Sequence, residues 1–127
     1  MYEFYNENPL GIFEDDCVIR AISCATNRSW DEVYDELSDL AQERGTLLDK
    51  KDFVRWYLDT HFTRIPNPPY KVIDVARNFK NHIVLCTMRG HITCIKPNKY
   101  GEETIYDTFN PSDKIVEDVW VVRWKGY

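Results

Sequence analysis

The chain has 127 residues, a net charge of −5, an apolar share of 43% and an aromatic share of 14%. This suits a single domain, residues 1–127, whose core needs neither disulfide nor metal to hold it together. The acidic balance argues against broad nucleic-acid binding, which needs a basic surface to displace counterions from phosphates, so no nucleic-acid partner is expected. The longest apolar runs fall far short of a membrane span, and the opening MYEFYNENPLG lacks a basic region followed by an apolar one. The expectation is a cytoplasmic protein with no membrane partner.

The first dozen residues read as an extended or looped arm broken by Asn8-Pro9 and Gly11. Asp15 or Asp16 is placed to cap a helix that turns Val18, Ile19, Ala21 and Ile22 inward and reaches about Thr26. Ser29 and Glu32 form a capping box, and the stripe Val33, Leu37, Leu40, Ala41 predicts a second helix that stops at Gly45. A third helix, from about Lys50 to His61, buries Phe53, Val54, Tyr57 and Leu58; RIPNPPY then imposes an irregular connection before a short helix around Val72 to Phe79. From there the period changes to two. HIVLCTMR, HITCIKP, ETIYDTF and IVEDVWVVRW read as four strands joined by turns short enough for hairpins. The expected class is α+β, with helices in the first half packed on an antiparallel sheet in the second.

The cysteines at 17, 24, 86 and 94 match no local metal-ligand spacing, and Cys24, Cys86 and Cys94 read as small buried hydrophobes. Cys17 is different because it opens a helix. Unpaired N–H groups and the positive end of the dipole favour a thiolate there and can receive an oxyanion, while Asp15 and Asp16 oppose it. The choice between a nucleophile and a core cysteine therefore turns on a histidine nearby. His61 closes a helix, where a surface cation suits the dipole, and His82 reads as exposed. His91 follows Gly90 at the start of a strand that the helices must cover, which makes it the candidate base. Asp107, an acid within an apolar and β-branched strand, is either its orienting acceptor or an exposed-face residue. Arg20, four residues after Asp16, reads as its solvated helix-surface partner.

DDCVIRAISCATNRSWDEVYDEL, with GHITCIK and TIYDTFNP downstream, resembles the small papain-like cysteine peptidase fold proteins of bacterial and phage genomes, over roughly residues 6 to 124. The resemblance implies a papain-like fold with Cys17 as nucleophile, His91 as general base and then acid, and Asp107 as orienter. It also implies a protein or peptide substrate, no cofactor, no metal, and a cytoplasmic setting, the host's if the chain is phage-encoded. Papain-like enzymes usually carry a Gln a few residues before the cysteine to complete the oxyanion hole. This chain has none there, and Asn8 or Asn6 would supply the amide if the arm folds back, beside the Cys17 N–H.

The function that follows is thiol-dependent acyl transfer on an amide or isopeptide bond, with hydrolysis as the default outcome. The alternative is a non-catalytic papain-like module that binds a host or phage protein. Geometry offers a discriminating expectation. Opposed residues in an antiparallel hairpin have a constant sum of positions. A loop of Asn98 to Tyr100 gives 198 and sets His91 opposite Asp107; a loop of Lys99 to Gly101 gives 200 and a diagonal pair; a four-residue loop gives 199 and separates the two unless a bulge intervenes.

Overall fold

The computed structural model describes residues 1–6, 8 and 16–122. Its elements, in chain order, are β1 (Tyr2–Phe4), α1 (Cys17–Thr26), α2 (Trp30–Glu43), α3 (Lys51–His61), β2 (Thr63–Arg64), α4 (Val72–Asn78), β3 (Val84–Met88), β4 (His91–Pro97), β5 (Glu103–Asp107) and β6 (Val116–Val121). The α+β class holds. The sheet, however, is mixed and six-stranded, in the order β1-β5-β4-β3-β6-β2, and not the purely antiparallel sheet of the C-terminal half that the alternation suggested. The four C-terminal strands pair antiparallel among themselves. The correction comes from the edges: β1 runs parallel to β5, and the two-residue β2 pairs antiparallel with β6. Strands this short carry no readable alternation, and a parallel partner a hundred residues away leaves no local turn signal.

The helix bounds follow their local chemistry. The Ser29 hydroxyl accepts from the Glu32 N–H at 3.1 Å, and Glu32 Oε1 accepts from the Ser29 N–H at 3.4 Å, so the capping box starts α2. α1 ends where Asn27 turns left-handed at φ 55°, its N–H bonding the Ser23 carbonyl. Asp16 occupies the N-cap position of α1 but makes no side-chain cap, because its carboxylate is committed elsewhere. Asp15, Pro9, Gly11 and the tail of the last expected strand lie outside the described residues.

Helices cover both faces of the sheet. Leu85, Ile92, Cys94 and Trp120 face a core shared with α1, α2 and α3, while Val84, Cys86, Ile95 and Ile105 face α4. Alternate residues of β3 and β4 are thus buried on opposite sides, which is why VLC and ITCI are buried throughout and show no exposed alternate face. α1 is the central helix: Val18 through Ala25 are all buried. Burying Ile19 and Ile22 stabilises its seat by about 1.5–3 kcal/mol each, so the position of Cys17 at its first turn is set by the core beneath it. Among the described residues, no helix is long and apolar enough to cross a membrane.

Candidate active site

Three elements converge at the N-terminus of α1. α1 carries Cys17, half-buried, at its first residue; β4 carries His91 at its first residue; β5 carries Asp107 at its last. His91 directly follows a two-residue turn, Arg89-Gly90, closed by the Met88–His91 pair, with Gly90 at φ 69° where a side chain would be strained. The β4–β5 hairpin pairs Cys94 with Tyr106 and Pro97 with Glu103, a sum of 200. The loop is Lys99 to Gly101, with Gly101 at φ 79° and the Asn98 N–H bonding the Glu102 carbonyl at 2.9 Å. His91 and Asp107 both lie beyond the last rung, Cys94–Tyr106, so alternation alone no longer decides where they point. Their contact does: His91 Nε2 and Asp107 Oδ2 are 2.7 Å apart.

The other oxygen of Asp107 is also held, since Oδ1 accepts the Thr108 N–H at 2.7 Å. Asp107 is 3% exposed, which keeps its end of the bond from water, and the Phe109 ring packs tilted against the imidazole with centroids 4.7 Å apart. Burial alone would push the His91 pKa down. The hydrogen bond to Asp107, the influence of the Cys17 thiol and the negative charge of both outweigh it and push the pKa up to about 9. These contacts favour the charged ring, whose Nε2 is turned to Asp107. Beside this pair opens a cleft of about 380 Å³ between α1, α3 and the β3–β4 turn; Val18, Leu48, Val54, Met88, Ile92 and Trp120 supply its apolar wall. At the same cleft, Lys51 pairs with Glu117 at 3.4 Å and Arg55 with Asp118 at 3.9 Å.

Asp16 and Arg20 differ most from their sequence reading. They do form the i,i+4 ion pair, but it is buried, each residue being 6% exposed, and not a solvated surface pair. Asp16 Oδ2 also accepts from Trp30 Nε1 at 2.8 Å and from Asn8 Nδ2 at 3.4 Å. Arg20 reaches onward, placing Nη2 3.8 Å from Asp107 Oδ1 and 3.5 Å from Thr108 Oγ1. Sequence spacing reveals the pair but not the elements that cover it, and α1 is covered on every side. Thr108, Phe109 and Trp30 were likewise missed; proximity to Asp107 in sequence was the available signal for the first two.

Asn8 and Asn6, the expected amide donors, lie among the described residues, and Asn8 reaches Asp16 at the start of α1. Asn8 is buried, yet its amide points to Asp16, and the Asn6 side-chain oxygen accepts the Asn8 N–H at 3.1 Å. Neither is among the described walls of the cleft. Cys24 and Cys94 are buried against one another, and burial first, then Cys24, pushes the Cys94 thiol up; burial and then Asp118 push Cys86 up to about 12. His61 bonds the Tyr57 carbonyl and His82 the Lys80 carbonyl, both away from Cys17. No family model, curated protein or solved structure matches this chain.

Proposed function

We propose that this protein is a papain-like, thiol-dependent acyl-transfer hydrolase that attacks an amide or isopeptide bond of a protein or peptide through Cys17, His91 and Asp107. The observation that carries the reading is the imidazole of His91, held at 2.7 Å by a buried carboxylate and lining the same cleft as a half-buried cysteine at a helix start, whose influence on the ring favours its charged form. In this scheme Sγ of Cys17 attacks the carbonyl carbon while His91 holds the proton. The oxyanion forms next to N–H groups that have no acceptor within the first turn of α1. His91 then protonates the departing amine, leaving a thioester on Cys17, and a water or a second amine attacks that ester with His91 as base. Asp107 fixes the tautomer and balances the imidazolium. The apolar wall of the cleft receives a substrate side chain and excludes water from the thiol.

The test is an electrophilic peptide amide, such as a vinyl sulfone, added to native protein and followed by intact mass and peptide mapping. One adduct on Cys17, lost in Cys17→Ser and strongly slowed in His91→Ala, is the expected result. Labelling that survives denaturation at the same rate, or ignores His91, would overturn the assignment. A non-catalytic module that seats a partner protein in the same cleft is the second reading, favoured by the engagement of the Asn8 amide with Asp16. It predicts an inert thiol.

A further inference from the structure

We propose that Arg20 is a positioning residue of this site: its guanidinium ties the helix that carries Cys17 to the carboxylate that holds His91. This deepens the acyl-transfer reading and rests on it for its consequence, though not for its geometry. A buried cation persists only where its partners compensate its desolvation. Arg20 is 6% exposed and its partners sit on different elements: Asp16 at the N-cap of α1, and Asp107 with Thr108 at the end of β5. A planar guanidinium spans two carboxylates in one geometry, which a lysine ammonium cannot do.

Arg20 follows Cys17 by three residues, so the two are neighbours on the surface of α1. Fixing the guanidinium between Asp16 and Asp107 therefore fixes the rotation of α1 at its first turn, and with it the approach of Sγ to the imidazole. Asp16 is itself pinned by Trp30 of α2 and by Asn8, so the anchor does not move with α1 alone. The same guanidinium competes with His91 for Asp107: Arg20 approaches Oδ1, His91 holds Oδ2. Among the described residues, the other titratable groups that face this pair are Cys17 on α1, Tyr2 on β1 and Cys94 on β4, with Arg89 in the turn before His91.

The test compares the parent with Arg20→Lys and with the double variant Arg20→Gln, Asp16→Asn, in which no buried carboxylate is stranded. His91 is titrated by NMR and the iodoacetamide rate at Cys17 is measured on protein shown to be folded by its thermal transition. In the double variant, loss of the competing cation should raise the His91 pKa by about half a unit or more. Loss of the tie should slow alkylation of Cys17 roughly 10- to 100-fold. Arg20→Lys keeps the charge, pairs with one carboxylate, and should fall between on both readouts; it decides the matter alone if the double variant does not fold. A parent-like His91 titration together with a parent-like alkylation rate in either folded variant would overturn the proposal. Failure of the acyl-transfer reading shows separately, as Cys17 of the parent reacting no faster than a cysteine of the denatured chain.

Discussion

An imidazole at the mouth of an apolar cleft would ordinarily lose its proton, and His91 keeps it because Asp107 and Cys17 both prefer the charged ring. Its pKa lies above the ordinary 6.5, so the stabilisation it contributes is fully present below 6.5 and is lost as pH rises through about 9. The stability advantage of the parent over His91→Gln in urea denaturation should accordingly shrink by roughly 1–2 kcal/mol across that window, after allowance for screening at the cleft mouth. The same proton governs activity. Turnover, which needs that proton for the departing amine, should decline through about pH 9, and Asp107→Asn should move that limb downward, because burial then meets less opposition. A limb that stayed in place in Asp107→Asn would remove Asp107 from its role. The cysteines add a second expectation at this scale: brief iodoacetamide treatment of native protein should label Cys17 and spare Cys24, Cys86 and Cys94, which are buried. Cys17→Ser should abolish activity with little change in thermal stability, since no large core group is lost. First labelling at Cys24 would point to a core cysteine at 17.

At the scale of elements, the hairpin between β4 and β5 sets the site. Its three-residue loop fixes the sum at 200, and Gly101 at φ 79° is what makes that loop inexpensive. Gly101→Val should cost about 1–3 kcal/mol in chemical denaturation, whereas Tyr100→Ser in the same loop should stay within about 0.5 kcal/mol, its side chain being exposed. Equal effects of the two would mean that the left-handed residue does not govern the turn. The hairpin was legible in the sequence to the extent of three competing registers, separated only by the preference of glycine for a positive φ. The helices were more legible still, because each announces itself: the capping box at Ser29, the stripe from Val33 to Ala41, the apolar face of Lys51–His61. Arg20 was not legible. An i,i+4 spacing is the same on a solvated helix as on one enclosed by α2 and the sheet, and only the packing tells them apart.

For the whole molecule, the feature with no local signal is the closure of the sheet by β1. Tyr2 pairs with Ile105 and Phe4 with Asp107, while the Tyr5 N–H and the Tyr2 hydroxyl both donate to the Asp107 carbonyl, at 2.9 and 3.0 Å. The first residues of the chain thus hold the backbone of the residue that orients His91, at a separation no periodicity can report. They also cover β5, which would otherwise be an open edge. Removal of residues 1–5 should therefore loosen β5 while leaving the helical core seated: amide exchange should accelerate over Glu103–Asp107 and not over Trp30–Glu43. Cys17 alkylation should slow in parallel, as Asp107 loses its fixed position. Tyr2→Phe, which deletes one hydroxyl donor, should do the same in small measure, costing about 1 kcal/mol. Unchanged exchange in β5 after the truncation would show that β4 alone suffices to hold Asp107. Faster exchange in β5 with an unchanged thiol rate would show instead that the carboxylate is held by Thr108, Arg20 and His91 without help from the chain's beginning.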